Sequence, residues 1–238
     1  YNTRYLFRKE KERGGILMTK KSKNTFIVIF AFICLLAVFL AGLTFPKTKA
    51  TDQVNYKKKI VSVVFDNSGS MQTENRPELA KYSLQMLASM LGKEDELIVC
   101  PMNHSSSAVF PIVFDLTQSN RENEIANKII NNKVLNPSGG TPASSIDEAI
   151  SQLRSRGLKL GQELDNNSEQ NVEYWLVMLT DGAFTNYNTT QQTGELVESK
   201  IKDYAGLNTI YLSFGNGAVD LTDPSLSLNK NYPFNAYY

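Results

Sequence analysis

From residue 60 onward, short runs of apolar residues alternate with longer segments in which apolar residues recur at helical spacing. The short runs predict buried strands, and the periodic segments predict amphipathic helices. Strands are predicted over Ile60–Phe65, Glu96–Met102, Ala108–Leu116, Tyr174–Leu179 and Thr209–Phe214, and helices over Arg76–Leu91, Arg121–Ile130, Ala143–Leu153 and Glu195–Tyr204. This alternation is typical of an α/β domain with a mostly parallel sheet covered by helices on both faces.

Two of the predicted strands are joined by only five residues, Asn103–Ser107. A connection this short favours a hairpin, and it predicts one antiparallel strand at an edge of the sheet. The helix predicted over Arg76–Leu91 is followed directly by Gly92, which predicts a glycine C-cap. The pattern as a whole predicts one doubly wound α/β domain over residues 59–238.

The longest apolar stretch precedes this domain. Thr25–Phe45 holds 21 residues without a charge, close to the about 20 that a helix needs to span a bilayer. The basic segment 18–24 comes before it, which predicts a cytoplasmic N-terminus and a domain outside the membrane. An uncleaved transmembrane helix is favoured over a signal sequence cleaved near Ala50, because signal peptides usually contain about 7–15 apolar residues. Residues 46–58 are predicted to be a polar linker.

The first 17 residues have the character of an added extension. The chain begins with Tyr1, and Lys11–Gly15 would be encoded by a purine-rich stretch shortly before Met18, as a bacterial ribosome-binding site would be. We therefore expect translation to start at Met18, with a cytoplasmic tail over 1–17 as the alternative. Peptides from 1–17 in the native protein would contradict this expectation.

The net charge of the chain changes sign near residue 59, close to the start of the predicted domain. Residues 1–59 contain 13 Lys and Arg and three acidic residues, whereas 60–238 contain 12 Lys and Arg and 21 acidic residues. An acidic domain argues against a nucleic-acid partner, because binding to phosphates depends on clustered cations. The two cysteines, Cys34 and Cys100, do not predict a disulfide framework, since Cys34 lies within the apolar stretch.

Candidate chemistry is concentrated in three segments. Asp66-Asn67-Ser68-Gly69-Ser70 directly follows the first strand, Gly139-Gly140-Thr141-Pro142 precedes a predicted helix, and Asp181-Gly182 follows a later strand. The carboxyl ends of parallel strands meet at one edge of a sheet, so these segments should lie together. Each alone is also an ordinary turn or helix start. Together they offer the hard oxygen ligands that Mg²⁺ prefers, and they predict a metal site.

This combination resembles the metal-ion-dependent adhesion site of von Willebrand factor A-type domains, in which Asp-x-Ser-x-Ser is followed by a Thr in a glycine-rich loop and by an Asp after a later strand. Matched in order, the ligand residues are Asp66, Ser68, Ser70, Thr141 and Asp181, with Asn67, Gly69, Gly140 and Gly182 as supporting loop residues. The resemblance covers about Lys59–Phe214 and implies a Rossmann-like fold.

The resemblance also implies a function. The two serines would coordinate Mg²⁺ directly, Thr141 directly or through water, and Asp66 and Asp181 largely through water, with Mn²⁺ or Ca²⁺ as alternative ions. An open position would accept Glu or Asp from a protein partner. The implied protein is a bacterial, membrane-anchored or secreted binding domain for adhesion or complex assembly, and not an enzyme.

Two other functions remain open alternatives. Asp66 would serve a phosphotransferase as nucleophile, or a metal-dependent hydrolase together with Asp181. A haloacid-dehalogenase-type enzyme needs a second Asp where Ser68 stands, and the sequence has neither a Gly-x-Ser-x-Gly elbow nor a phosphate loop, so catalysis is disfavoured. The second alternative is a structural subunit of a membrane complex. His104, the only histidine, is predicted to be a solvated residue at the hairpin tip.

The C-terminal segment Asn231–Tyr238 is predicted to add one more strand. Domains of the resembled family usually close with a final helix, and no helical pattern follows this strand. We therefore expect the domain to be truncated at its C-terminus.

Overall fold

The computed structural model describes residues 56–104, 110–117, 121–161, 171–215 and 219–237. The predicted extension, basic segment and apolar segment (1–17, 18–24 and 25–45) lie outside the described residues, as does all but the last part of the predicted linker. Among the described residues, no helix combines the length and the apolar character that crossing a membrane requires.

A six-stranded sheet forms the centre of the described fold. Its strands are β1 (Lys58–Phe65), β2 (Glu96–Pro101), β3 (Ile112–Phe114), β4 (Val172–Thr180), β5 (Leu207–Ser213) and β6 (Phe234–Tyr237). They are arranged in the order β3-β2-β1-β4-β5-β6. β3 is antiparallel to β2, and the other neighbouring pairs are parallel. The predicted mixed sheet with an antiparallel edge strand is therefore confirmed.

Helices cover both faces of this sheet. On one face lie α1 (Arg76–Met90) and α2 (Arg121–Ile125, continued by a π-helical turn over Ala126–Ile130), and on the other lie α3 (Ser144–Arg154), α4 (Thr190–Ile201) and α5 (Ser227–Asn231). Along β1, Val61 and Val63 pack toward α1 and α2, whereas Ile60 and Val64 pack toward α3 and α4. Burial on both faces explains why β1 is a continuous apolar run, and the predicted doubly wound architecture is confirmed.

The C-terminal end of α1 differs from the prediction. The helix ends at Met90, and the next residue, Leu91, is extended (φ −74°, ψ 144°), so Gly92 does not form the predicted C-cap. Leu91 is buried in the core, and Gly92 N–H donates to Asp95 Oδ2 at 2.7 Å. Core packing and a carboxylate thus fix this turn, and neither is visible in the local pattern.

The face of α1 that packs on the sheet includes small as well as large apolar residues. Its buried residues are Ala80, Leu84 and Ala88, which recur at the four-residue spacing of one helix face, whereas Tyr82 is 53% exposed.

Two polar segments are helical against prediction. α4 begins at Thr190, five residues before the predicted start, and its first turn is capped by Thr189 Oγ1, which accepts from Gln192 N–H at 3.2 Å. α5 precedes the predicted C-terminal strand and buries only Leu228. Because only one of its residues is buried, the sequence of α5 has no apolar residues that recur at helical spacing. The strand itself is confirmed as β6, which pairs with β5.

Candidate metal centre

The candidate ligands leave the carboxyl-terminal edge of the sheet. β1 and β4 are neighbours in which Phe65 pairs with Leu179, and Asp66 N–H donates to Leu179 O at 2.8 Å. Asp66 and Asp181 therefore follow adjacent strand ends. Ligands of parallel α/β sheets bind at this edge.

Asp66 is buried, with 1% of its surface exposed. Its Oδ1 accepts from Ser68 N–H at 2.8 Å, and its Oδ2 accepts from the Thr180 hydroxyl at 2.8 Å and from Asp181 N–H at 3.4 Å. Burial raises the pKa of this carboxyl above its usual range, and the nearby Asp181 charge adds to that shift, while the hydrogen bonds from Ser68 and Thr180 oppose it. Asp66 thus anchors the first loop onto β4.

The two serines present adjacent hydroxyls. Ser68 Oγ and Ser70 Oγ lie 2.9 Å apart, because Ser70 falls in the 3₁₀ turn Gly69–Gln72 that starts right after Ser68. Ser68 is buried and Ser70 is exposed. The pair therefore reaches from the interior of the site to its surface.

The glycine-rich loop packs against this turn through its backbone. Gly69 N–H donates to Gly139 O at 3.0 Å, and Ser138 N–H donates to Asn67 O at 2.5 Å. Gly139 has φ +72°, and a Cβ at this position would clash with the Asn103 side chain, whereas a Cβ at Gly140 would meet only an ordinary contact at 3.7 Å. The packing of this loop therefore requires a glycine at Gly139, whereas the predicted role of Gly140 beside the metal stays a prediction.

Asn67 and Asn103 hold the loops together. Asn67 Nδ2 donates to Asn103 O and to Val134 O, both at 2.7 Å, and Asn67 Oδ1 accepts from Asn103 N–H at 2.8 Å. Asn103 Nδ2 in turn donates to Gly140 O at 2.5 Å, and its Oδ1 accepts from Gly140 N–H at 3.2 Å. Asn67 thus joins the first loop to the segments of Asn103 and Val134, and its support of a metal stays a prediction. Asn103 was missed, because nothing but its position two residues after β2 distinguishes it in the sequence.

Thr141 contacts the segment that follows Asp181. Its hydroxyl is 3.4 Å from the Thr185 hydroxyl, and its carbonyl accepts from Thr185 N–H at 2.8 Å. In the described part of the chain, the Thr141 hydroxyl is not hydrogen-bonded to the other four candidate ligands. The structure thus brings Asp66, Ser68 and Ser70 into one hydrogen-bonded group and joins Thr141 to the segment that follows Asp181.

Asp181 has a cationic partner that the sequence analysis missed. Asp181 Oδ2 lies 3.4 Å from Nη1 of Arg76, and the two side chains are 10% and 13% exposed. The next residue, Gly182, has φ +128° and donates its N–H to Thr180 Oγ1 at 3.2 Å. The only signal for Arg76 in the sequence is a basic residue at the start of the helix that follows the Asp-x-Ser-x-Ser motif.

Two carboxylates and three hydroxyls make up the candidate donor set. All five are hard oxygen donors, which suit Mg²⁺, Mn²⁺ or Ca²⁺ better than metals that prefer nitrogen or sulfur. Among the described residues, no group of three or more His, Cys, Asp and Glu side chains is arranged to hold a metal ion. This set depends instead on hydroxyls, and with Asp66 and Asp181 side by side it fits a divalent cation.

His104 is exposed, as predicted, and it also makes two side-chain contacts. Its ring stacks on Phe110 with centroids 4.0 Å apart, and its Nε2 lies 3.5 Å from Glu148 Oε2. It directly follows Asn103, which contacts the Gly140 loop, whereas residues 105–109 of the same connection lie outside the described residues.

The family model described as von Willebrand factor type A domain matches residues 61–221. This match covers more than half of the chain and includes all five candidate ligands. No curated protein sequence matches the chain.

Several solved structures are similar at low sequence identity. The pilus adhesin SpaC from Lactobacillus rhamnosus GG is 14% identical with a TM-score of 0.47, and the match covers 78% of this chain and 29% of that chain. The manganese-loaded TRAP protein of Plasmodium vivax is 15% identical with a TM-score of 0.43, covering 77% and 69%. The PilB minor pilin from Streptococcus sanguinis is 14% identical with a TM-score of 0.49, covering 81% and 59%. The chain thus spans less than a third of the adhesin.

Proposed function

Because the chain belongs to the von Willebrand factor type A domain family, we propose that it binds a protein partner through a divalent metal ion, in adhesion or in the assembly of a complex. Asp66, Ser68, Ser70, Thr141 and Asp181 would hold the ion. We propose Mg²⁺, with Mn²⁺ and Ca²⁺ as alternatives. When bound, the ion would take a Glu or Asp carboxylate of the partner as a further ligand.

The observation that carries this proposal is the pair of serine hydroxyls, 2.9 Å apart, beside the carboxylates of two adjacent strand ends. Hydroxyls are neutral, so they leave most of the charge of a cation uncompensated and available to an outside carboxylate. Asp66 balances part of that charge, and its bonds to Ser68 N–H and the Thr180 hydroxyl hold the loop in place.

A catalytic function has less support. A phosphoryl-accepting Asp must reach phosphorus directly with one of its oxygens, whereas Asp66 is 1% exposed and both of its oxygens accept hydrogen bonds; in a metal site it would act largely through water. The Cys100 thiol is buried, and burial raises its pKa to about 12, so it does not offer a nucleophile either. We therefore propose a binding protein and not an enzyme.

We also propose that the domain acts outside a bacterial membrane. The support is the stretch 25–45 without a charge, preceded by Lys20, Lys21 and Lys23, since positive residues mark the cytoplasmic side of a membrane segment. Secretion after cleavage near Ala50 is the alternative. Recovery of the native protein in the cytosolic fraction would contradict both.

Metal binding is tested by calorimetric titration of Mn²⁺ and Mg²⁺ into the full chain. Asp66→Ala and Asp181→Ala should each weaken binding by about a hundredfold or more, since each removes a carboxylate from the donor set. Both variants should remain folded, with Asp66→Ala the less stable because Ser68 N–H and the Thr180 hydroxyl lose their acceptor. Asp147→Ala is the matched control, because that Asp is 54% exposed and pairs with Lys200 on the surface. Unchanged Mn²⁺ affinity in both site variants would refute the metal site.

The partner chemistry is tested with a displayed peptide library, selected on the immobilised chain in Mg²⁺ and eluted with EDTA. Peptides that contain Glu or Asp should be enriched, and the Asp66→Ala chain should retain none of them. Enrichment that is the same with and without Mg²⁺ would contradict recognition through the metal.

A further inference from the structure

Arg76 brings a positive charge into the candidate metal centre. It is the first residue of α1, and its Nη1 lies 3.4 Å from Asp181 Oδ2 and 3.5 Å from Ser70 O. The side chain is 13% exposed. Its Nε is buried and has no hydrogen-bond partner among the residues that the structure describes. Arg76 is therefore held at the site by charge and packing, with part of its hydrogen-bonding capacity unused.

The backbone before Arg76 is unusual. Glu74 and Asn75 both have positive φ, at 57° and 63°, a left-handed conformation that residues with side chains rarely adopt. Two such residues in succession turn the chain from the serine loop into α1. The contact of Arg76 Nη1 with Ser70 O joins the two sides of this strained turn, and its contact with Asp181 connects the turn to the end of β4.

A guanidinium at this place affects any cation that enters. Arginine remains charged at all physiological pH values, so Arg76 supplies a charge that partly balances Asp66 and Asp181. A divalent ion at the same carboxylates would be repelled by that charge. It would also have to share Asp181 with Arg76 or displace it.

From these observations we infer that Arg76 is an internal competitor for the metal: it pairs with Asp181 in the metal-free protein, and metal binding must overcome or release this pair. The inference rests on the proposed function and assigns a role to a residue outside the donor set. It follows that Arg76 lowers the metal affinity of the protein while stabilising the metal-free site.

The test measures Mn²⁺ affinity of the full chain by calorimetry, together with the melting temperature in EDTA and in Mn²⁺. Arg76→Gln should bind Mn²⁺ about tenfold more tightly, and its melting temperature should be lower in EDTA but rise further on adding Mn²⁺. Arg154→Gln is the matched control, because it removes the same charge at the opposite end of α3 from the Thr141 loop, and its affinity should stay within about twofold.

Arg76→Lys separates charge from shape. It keeps the positive charge, so its Mn²⁺ affinity should stay near that of the natural protein, and an affinity as high as that of Arg76→Gln would overturn the charge argument. Equal or weaker binding by Arg76→Gln would overturn the inference while leaving the metal site intact. If the unaltered chain and both variants bind no Mn²⁺, the proposed function fails and the inference fails with it.

Discussion

Carboxylates at the two ends of the sheet have different hydrogen-bond and charge partners. At the amino-terminal end, Asp95 accepts three short hydrogen bonds, from the Tyr56 hydroxyl at 2.5 Å, Lys59 N–H at 2.6 Å and Gly92 N–H at 2.7 Å. Its neighbour Glu96 accepts from Lys58 Nζ at 2.6 Å and from Arg156 Nε at 2.8 Å. The protein itself supplies complete partners for both carboxylates.

At the carboxyl-terminal end, Asp181 and the two serines have fewer and more distant partners. Asp181 has a contact of 3.4 Å with Arg76, and the Ser68 and Ser70 hydroxyls bond to each other. Asp66, like Asp95, accepts three hydrogen bonds from uncharged donors, so the difference between the two ends lies at Asp181 and at the serine hydroxyls. At the amino-terminal end of the sheet, the protein thus satisfies the carboxylates with its own hydrogen bonds and ion pairs. At the carboxyl-terminal end, oxygen donors and negative charge remain that an external cation would use.

The largest effect on stability is expected at the amino-terminal end of the sheet. Asp95→Ala removes the acceptor of three part-buried donors around a residue that is 6% exposed, and such donors are costly when they lose their partner. The free energy of unfolding should fall by about 3 kcal/mol, measured by urea denaturation in EDTA, with Mn²⁺ affinity unchanged. The exposed Asp147→Ala should change it by less than about 0.5 kcal/mol. A similar small change for Asp95→Ala would contradict the comparison.

A smaller effect on stability, but a selective one on binding, is expected for Asn103→Ala. This change removes the two bonds that hold Gly140 and should cost about 1–2 kcal/mol of unfolding free energy. Because the loop that presents Thr141 loses its support, Mn²⁺ affinity should fall about tenfold.

Asn229→Ala is the matched control for this variant. Asn229 also donates two hydrogen bonds to backbone carbonyls, to Leu221 O at 2.8 Å and to Asp223 O at 2.7 Å, but it lies outside the candidate centre. It should cost a similar stability and leave Mn²⁺ affinity unchanged. Equal losses of affinity in the two variants would show that Asn103 has no special link to the site.

Much of this fold could be predicted from the sequence, for a physical reason. Strands buried on both faces must be apolar at every position, so β1 and β4 stand out as continuous runs. Because parallel strands end at one edge, the positions of Asp66 and Asp181 after two such runs were enough to predict that they lie together.

The residues that the sequence did not reveal depend on tertiary contacts. Arg76, which contacts Asp181, follows a turn in which Glu74 and Asn75 adopt positive φ, and no local pattern of non-glycine residues predicts such a turn. Asn103 matters because it meets a loop 37 residues away in sequence. Gly139 is a constrained glycine because Asn103 lies against it. The local pattern of strands and polar residues thus predicted where the candidate site lies, whereas the residues that support its loops are determined by long-range packing.

The smallest effect is expected for Glu96→Gln, and it depends on pH. Burial raises the pKa of Glu96, but hydrogen bonds and charge from Lys58 and Arg156 outweigh it and hold the pKa below the ordinary value of about 4.5. A carboxylate whose pKa is lower in the folded state stabilises the protein above that ordinary value, and the contribution is lost as pH falls through the folded-state pKa. Since Glu96 is 34% exposed, solvent screening should limit it to less than about 1 kcal/mol.

Urea denaturation in EDTA at pH 7 and at successive pH values below 4.5 tests this expectation. The difference in unfolding free energy between the unaltered chain and Glu96→Gln should be largest at pH 7 and should shrink as pH falls, because the carboxyl of the unaltered chain becomes protonated and neutral like the amide. Glu122→Gln, at an exposed position of α2, should show no such convergence. A difference that stays constant down to pH 3 would mean that the charge of Glu96 contributes nothing, and the amino-terminal end would then be held by Asp95 and packing alone.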